Sequence, residues 1–528
     1  MSQDSVTDPI PELPVRLNMA DYFLDARVRE GKGDRVAVRV GDDSWTYRAV
    51  QARCDRLANA LADRGIGRDD RVLFLLFDGI DFVTTFFGTL KAGAVFCMGN
   101  PLLGESDFDY LLEYTGARAV VADARTLDRL APALAKHPRC SVRLIAGATA
   151  DLALESQPAC ESFDAVLEAA AEAPRTADTH GDDVAGWLFT SGTTGEPKGA
   201  VHLHRHFPYN TERYAKRVLR LNEDDVFVSV SRLFFGYATG TNLMFPFAVG
   251  GTAVLFEDKP TPERLFDHIE RYGVTVLTNV PAMIRQMVDH PSAPERDLSS
   301  VRMCLSAGEA LPEALYQRWR SLIDVEILDG IGSAELFHIY ITNYPGDVRP
   351  GSLGRLVPGY EARIVGPDGD DVGDGDIGRL WIRGDSAAIG YHRDQRKSHD
   401  VFRGEWTVSA DLFRREGDYF YYAGRGDDML KVRGMFVSPL EIEDCLCTHE
   451  AVREAAVVGV DDGSGLTVPK AFVVLREGFT ADDALTKALQ EHAKTELARY
   501  KFPHQVAYLD ALPRNDRGKI MRRSLLEG

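Results

Sequence analysis

A stretch rich in glycine and hydroxyl side chains, residues 188–202, contains the residue types that bind phosphate. Its glycines allow backbone N–H groups to approach an anion closely, Ser191, Thr193 and Thr194 add hydroxyl donors, and Lys198 adds a positive charge. The pattern differs from the Walker loop, because a proline precedes the lysine and a glycine follows it. We predict a phosphate cradle here, with a flexible surface turn as the alternative.

Two later segments place single carboxylates on turns. Glu335 closes the glycine-containing segment 329–335, and a glutamate beside a bound triphosphate is a suitable oxygen ligand for Mg²⁺. Asp411 follows Ser409, and its two oxygens could accept from both hydroxyls of a ribose. Taken singly, an ordinary turn is the favoured interpretation of each segment.

Two segments near the C-terminus combine glycine with basic residues. The charged string 424–434 includes Arg425 and Lys431, and a loop at 513–520 carries Lys519. Solvated charged loops are the alternative interpretation of both.

In their order along the chain, these five segments resemble the signatures of the adenylate-forming superfamily, which includes acyl- and aryl-CoA synthetases, peptide-synthetase adenylation domains and luciferases. The resemblance implies that Lys519 neutralises the reacting carboxylate and α-phosphate, and that Asp427 is a hinge. It also implies that Lys431 and Gly434 belong to a loop lining the thiol tunnel. The nucleotide contacts that it implies are Thr190, Ser191, Gly192, Thr193, Thr194, Lys198, Gly308, Glu309, Asp329, Gly330, Ile331, Gly332, Ser333, Ala334, Asp411, Arg425 and Gly434.

Residues 17–25, 233–237, 306–312 and 337–339 are most similar to the benzoate-CoA ligase branch. That similarity implies an acyl/aryl-CoA ligase using ATP, Mg²⁺ and coenzyme A, with two half-reactions in one site as the small domain rotates. The acid is expected to be aromatic or a bulky alicyclic one. The pocket residues implied are Phe235 as a gating aromatic, Tyr237, Ala238, Ala307 and His338, although Phe235 and His338 could equally be structural.

Two positions depart from the family pattern. Ala334 stands where the family usually has a threonine whose hydroxyl supports the α-phosphate, and Ala410 replaces a glycine. A lost hydrogen bond to a charged group costs roughly 1.5–3 kcal/mol, and a methyl at positive φ costs about 1–2 kcal/mol. The hypothesis is weak or absent adenylation, with thioester formation retained and acyl-adenylate supplied by a separate enzyme. Compensation by Ser333 is the alternative.

Two other functions remain open. One is a stand-alone adenylation enzyme that loads a carrier protein. A basic patch that binds the 3′-phosphate of CoA would argue against this function, and the candidate residues for such a patch are Arg433, Arg499 and Lys501. A catalytically silent binding homologue is disfavoured by the retained charged residues of the five segments.

Composition limits the partners. The 528 residues carry 61 Lys plus Arg against 80 Asp plus Glu, a net charge of -19, which disfavours nucleic acid and anionic membranes. The seven cysteines are scattered and odd in number, which argues against a disulfide framework. No apolar run approaches the roughly 18 residues of a membrane span. We expect a cytoplasmic monomer or homodimer that binds a small carboxylic acid and CoA.

The elements that position these residues follow from hydrophobic periodicity. Helical spacing at 50–61 and 82–90 alternates with apolar runs at 72–77 and 94–97, which predicts a parallel sheet with covered faces. A second parallel sheet is predicted from runs at 226–230, 252–256, 274–278, 301–306 and 325–328, and a small β-subdomain from 351–382. The fold class is therefore α/β, with an N-terminal domain of two doubly wound sheets at 1–426 and a mobile α+β domain at 427–528, where Ser438 and Glu441 form a capping box.

Overall fold

The computed structural model describes residues 11–147, 159–191, 196–426, 430–432, 435–461, 467–497, 501–514 and 520–526. Two large sheets and an antiparallel subdomain make up the N-terminal domain, and a smaller α+β domain follows. The predicted fold class is confirmed.

The first sheet has seven strands, six of them parallel, with an antiparallel edge strand. In the strand Arg71–Leu75, Val72 and Phe74 face the core shared with the second sheet, whereas Leu73 and Leu75 pack under outer helices. Both faces are covered, as apolar parallel strands require. The strands in spatial order are Glu161–Ser162, Val142–Ala146, Ala119–Asp123, Arg71–Leu75, Val95–Met98, Val184–Ser191 and Pro197–Leu203.

The second sheet has nine strands with six parallel strands at its centre. The five predicted strands are present, but three of them begin two residues later than predicted. Val274 and Val301 caused two of these differences, because they are buried just before their strands. The spatial order is Arg355–Leu356, Ile339–Thr342, Ile327–Gly332, Met303–Ser306, Val276–Asn279, Val226–Ser229, Thr252–Leu255, Val36–Val40 and Asp43–Thr46.

Helices lie between the two sheets and on both outer faces. Those of the shared core are Tyr47–Asp63, Ile80–Lys91, Phe163–Ala169, His206–Asn210, Thr211–Val218, Gly236–Thr239, Gly240–Met244 and Phe245–Val249. The outer helices are Glu105–Thr115 and Leu127–Lys136 on the first sheet, and Pro262–Tyr272, Pro281–Asp289 and Glu313–Leu322 on the second.

The β-subdomain is larger than predicted. Its antiparallel strands extend to Arg425, while Arg355–Leu356 joins the large sheet instead. The sequence signal was weak beyond residue 383, because these strands carry charged residues on their exposed face. The strands are Glu361–Val365, Gly378–Arg383, Phe402–Arg403, Trp406–Glu416 and Tyr419–Arg425, and the helix Gln395–Val401 lies beside them.

The C-terminal domain packs two helices against a three-stranded sheet and a hairpin. The predicted capping box is wrong: Ser438 precedes the helix but makes no capping hydrogen bond, and Glu441 lies 2.6 Å from Lys501. A charge-assisted pair replaces the bond to the backbone. The elements are Leu430–Val432, Met435–Val437, Pro439–Cys447, Val452–Asp461, Thr467–Leu475, Asp483–Glu496, Gln505–Tyr508 and Arg522–Leu525.

The predicted domain boundary at Asp427 lies outside the described residues and stays a prediction.

Within the described ranges, no helix combines the length and apolar character that crossing a bilayer needs.

Candidate active site

The predicted phosphate cradle lies at the edge of the seven-stranded sheet. Val184–Ser191 pairs with Pro197–Leu203, which places Thr190 opposite Lys198. The Lys198 ammonium lies 2.9 Å from Oδ2 of Asp394. Gly192, Thr193, Thr194 and the side chain of Ser191 fall outside the described residues.

Two stacked tyrosines of one outer helix hold the start of the lysine-bearing strand. The rings of Tyr110 and Tyr114 are 5.4 Å apart, and the Tyr110 hydroxyl donates to the carbonyl of Pro197 over 2.8 Å. The Tyr114 hydroxyl accepts from the N–H of Gly199 at 3.1 Å and donates to the carbonyl of His392 at 2.7 Å. The helix therefore fixes the backbone on either side of Lys198.

The second predicted motif lies at the end of the strand Ile327–Gly332, which contains Asp329, Gly330 and Ile331. A Cβ on Gly332 would lie 2.6 Å from the carbonyl of His338, so only glycine fits. Burial raises the pKa of Asp329 to about 7, and its Oδ1 has no hydrogen-bond partner among the described residues. A ligand donor at this point would satisfy that oxygen.

Three predicted site residues act on the pKa of the buried Tyr340. Burial raises the pKa of this tyrosine well above its usual value, and the negative charges of Asp411 and Glu335 raise it further. A hydrogen bond with Ser333 acts in the opposite direction. The charges of the metal-binding and ribose-binding candidates are therefore both felt at one buried hydroxyl.

Glu335 is held from one side by Tyr391. The tyrosine hydroxyl donates to Oε1 of Glu335 over 2.6 Å. Burial is the main cause that raises the pKa of this tyrosine, and the negative charge of Glu335 raises it further. Within the described ranges, no cluster of three His, Cys, Asp or Glu side chains could hold a metal. Mg²⁺ commonly takes one protein carboxylate plus phosphate oxygens and water, so Glu335 fits that role.

The ribose candidate lies on the β-subdomain. Asp411 faces Arg425 on the neighbouring strand, and the Ser409 hydroxyl donates to Oδ2 of Asp411 over 2.8 Å. The Nε of Arg425 is buried without a hydrogen-bond partner among the described residues, which suits an oxygen-rich ligand. Ala410 is not at positive φ; it lies in an extended strand, so the expected cost of its methyl group does not arise.

The predicted acid pocket joins the second motif through a strained turn. His338 is buried, its Nε2 lies 3.0 Å from the carbonyl of Tyr237, and burial lowers its pKa to about 4. Its Nδ1 and the Tyr237 hydroxyl are both buried without partners in the described part of the chain. Ala238, next to Tyr237 in sequence, and Ala307 are buried, and the ring of Phe235 lies 4.4 Å from that of Phe234.

Phe337 separates Glu335 from His338 in an unusual backbone conformation. Its φ of 70° and ψ of -59°, with a 2.9 Å bond from the N–H of His338 to the carbonyl of Leu336, define a γ-turn of the strained hand. Strain of this kind persists where surrounding contacts impose it, commonly in functional sites.

The C-terminal residues of the predicted site are described only in part. Asp427, Gly434 and Lys519 lie outside the described residues, as does the side chain of Lys431, whose backbone belongs to Leu430–Val432. Of the basic-patch candidates, Arg433 and Arg499 are also outside. Their roles stay predictions.

One contact joins the base of the Lys519 loop to the large domain. Arg514 forms a β-bridge with Ile520 and lies 3.3 Å from Glu309 and 3.2 Å from Glu454. Glu309 follows Gly308, whose φ is 93°. The two ends of the loop are therefore beside a predicted nucleotide segment.

The sequence did not identify Tyr340, Tyr391, Asp394 or His202, whose imidazole contacts the carbonyl of Ala334. These residues contact the motifs from distant parts of the chain. The one signal available was Gly390-Tyr391, a glycine and an aromatic residue just ahead of the β-subdomain helix.

Comparisons with known proteins agree with this arrangement. The AMP-binding enzyme family matches residues 24–392, and the AMP-binding enzyme C-terminal domain matches 441–519. The chain is 41% identical over 526 residues to the benzoate–CoA ligase of Thauera aromatica, covering 99% of this chain and 98% of that one. It is 36% identical to the 4-hydroxybenzoate–CoA/benzoate–CoA ligase of Rhodopseudomonas palustris, covering 98% and 95%.

Among solved structures, the anthranilate CoA ligase AuaEII in complex with anthranoyl-AMP superposes with a TM-score of 0.90 at 34% identity, covering 98% of both chains. Both domains and nearly the whole length are thus shared with these relatives. The chain belongs to the AMP-binding enzyme family and is an acid–thiol ligase.

Proposed function

We propose that the enzyme joins an aromatic carboxylic acid to coenzyme A through an acyl-adenylate. Relatives that span nearly the whole chain are ligases named for benzoate, 4-hydroxybenzoate and anthranilate. Aromatic acids therefore take precedence over the alicyclic acids that the sequence also allowed.

The observation that carries the proposal is the short segment 333–338. At one end, Ser333, Glu335 and Asp411 all act on the pKa of the buried Tyr340, and at the other His338 contacts Tyr237. A nucleotide on the first group and an acid on the second would place a carboxylate beside the α-phosphate. Proximity of this kind is a large part of catalysis in two-substrate reactions.

The chain's own residues then have distinct tasks. The acid lies against Tyr237 and His338, and Asp411 holds the ribose while Lys519 offsets the charge that would repel the attacking carboxylate oxygen. That oxygen bonds to the α-phosphorus as pyrophosphate leaves, and the CoA thiol next displaces AMP from the acyl carbon. Mg²⁺ at Glu335 would neutralise phosphate charge.

Within this function, we propose that adenylation is the weaker half-reaction. Ala334 has no hydroxyl for the α-phosphate, and the neighbouring Ser333 hydroxyl acts on Tyr340, whose pKa it lowers. A missing bond to a charged group costs roughly 1.5–3 kcal/mol, or about ten- to a hundredfold in rate. The other departure, Ala410, no longer supports this inference.

The decisive experiment separates the half-reactions by mass spectrometry of products. One incubation contains ATP, Mg²⁺ and an aromatic acid, and the other contains benzoyl-AMP and CoA. We expect slow adenylate formation and ready thioester formation, with Ala334→Thr raising ATP–pyrophosphate exchange about tenfold or more. Absence of a thioester from benzoyl-AMP and from every other aromatic acyl-adenylate tested would refute the proposed function.

Ala410→Gly is the matched control. Since residue 410 is in an extended strand at negative φ, restoring the family glycine should leave pyrophosphate exchange unchanged. Exchange at an ordinary rate in the wild-type enzyme would reject weak adenylation while leaving the ligase function intact.

A further inference from the structure

Residues 388–394, here called the strap, cross both nucleotide motifs. The strap pairs with the cradle strand through bonds of 3.0 Å from Ile389 N–H to the Val201 carbonyl and 2.9 Å from His392 N–H to the Gly199 carbonyl. At its other end, the N–H of Ala388 donates to the Glu335 carbonyl over 2.8 Å. The strap is therefore attached to the two segments that carry the proposed phosphate lysine and metal ligand.

Two strap side chains contact those functional side chains directly. Tyr391 donates to Oε1 of Glu335, and Asp394 places Oδ2 2.9 Å from Nζ of Lys198. The Lys198 ammonium holds the pKa of Asp394 below its usual range, so the pair is ionic. The only cation that the proposed phosphate cradle offers within its described residues is thus already neutralised by a carboxylate.

Asp394 is also fixed in place from its other oxygen. Oδ1 accepts from the N–H of Lys397 at 3.0 Å, capping the helix Gln395–Val401. The Lys198 and Asp394 side chains are 20% and 29% exposed, so solvent screens their attraction only partly. A capped carboxylate cannot withdraw from the cradle without breaking the cap.

We propose that Asp394 is the resting counter-ion of Lys198 and a positioning residue that lowers the affinity of the cradle for polyphosphate. The inference rests on the proposed function, in which Lys198 binds phosphate. A triphosphate that reaches Lys198 has to replace this carboxylate or bind beside it. Either way, the negative charge of Asp394 weakens binding of Mg-ATP and of the pyrophosphate that must leave.

The test is a double-mutant cycle on the full-length enzyme, with Mg-ATP binding measured by calorimetry in the absence of acid. Asp394→Asn keeps the helix cap, because asparagine caps as well as aspartate, but removes the charge. We expect it to tighten Mg-ATP binding by about three- to tenfold, as for a partly exposed ion pair. In the Lys198→Met background the same substitution should change affinity less than about twofold.

Asp482→Asn is the matched control, since Asp482 caps the helix Asp483–Glu496 with a 2.7 Å bond to the N–H of Leu485, far along the chain from the cradle. The Mg-ATP affinity of the Asp482→Asn variant should equal that of the wild type. Weaker or unchanged binding in Asp394→Asn, or an equal change with and without Lys198, would overturn the proposal.

A thioester assay on the same wild-type preparation distinguishes failure of the proposed function from failure of the proposal for Asp394. Wild-type enzyme that binds Mg-ATP but makes no thioester from any aromatic acid would disprove the function, and the cycle would still decide the role of Asp394. Wild-type enzyme that does not bind Mg-ATP would overturn the role of Asp394, and thioester formation from benzoyl-AMP would still decide the ligase function.

Discussion

The Nε2 of His202 lies 2.6 Å from the carbonyl oxygen of Ala334. A carbonyl only accepts, so Nε2 carries the proton. Burial lowers the pKa of His202 to about 4, which keeps the ring neutral at physiological pH. The bond joins the cradle strand to the backbone immediately before Glu335, and so couples the phosphate and metal-binding candidates.

Replacing His202 by leucine should therefore impair adenylation. Loss of the bond leaves the Ala334 carbonyl unpaired and the Glu335 turn less constrained, at a cost of about 1–2 kcal/mol. We expect ATP–pyrophosphate exchange per folded molecule to fall roughly tenfold. His204→Leu is the control. His204 is also buried and directly follows the same strand, but its Nδ1 accepts from the N–H of Met19, so it makes a different contact from that of His202. Equal losses in the two variants would contradict the coupling.

Arg514→Gln should separate the half-reactions. Removing this side chain breaks the contact between the Lys519 loop and Glu309, a half-buried pair worth about 1 kcal/mol. Adenylation, which needs the loop at the large domain, should slow several-fold, while thioester formation from supplied acyl-adenylate should not. Lys494→Gln removes an exposed ion pair within the small domain and serves as the control. Equal slowing of both half-reactions would argue against this role.

The strain at Phe337 predicts an inverted order of stabilities. Phe337→Ala and Phe337→Gly both lose the packing against Phe207, whose ring lies 4.7 Å away. Glycine normally destabilises relative to alanine, but at φ of 70° it avoids the steric cost of a Cβ. We expect the glycine variant to unfold at higher urea concentration, with a free energy of unfolding about 1 kcal/mol greater. The reverse order would show that the turn relaxes when the ring is removed.

Asp78 should make stability depend on pH. Burial raises the pKa of Asp78 to about 7. The charge of Arg232 lowers the pKa in part, as does the hydrogen bond of 3.0 Å that Asp78 accepts from the N–H of Leu233. The folded state then holds a proton that the unfolded state releases between about pH 4 and 7, so stability falls as pH rises through that range. Asp78→Asn should remove up to about 1.4 kcal/mol per pH unit of this slope, measured by urea unfolding.

Arg232→Gln provides the second arm of that experiment. Without the cation, the pKa of Asp78 should rise further, which extends the descending limb of stability to higher pH. A slope unaltered by Asp78→Asn would assign the pH dependence to other groups.

The sequence identified the strands and helices well where periodicity was simple. Apolar runs such as the one that became Arg71–Leu75 predict buried parallel strands, because such strands cannot tolerate polar residues on either face. It located the Ser438 helix but misjudged its cap, because Lys501, the partner of Glu441, is distant in sequence. The long charged strands that carry Asp411 and Arg425 gave little periodic signal.

Hydrophobic periodicity and the family resemblance therefore determined the fold class, and the order of the motifs indicated the kind of chemistry. Only the tertiary structure showed that Ser333, Glu335 and Asp411 act together on the pKa of Tyr340, that Ala410 is extended, and that Lys198 is paired with Asp394. Local sequence encodes local backbone preference, whereas these contacts join side chains from separate elements, and their positions depend on how the sheets, strap and subdomain pack together.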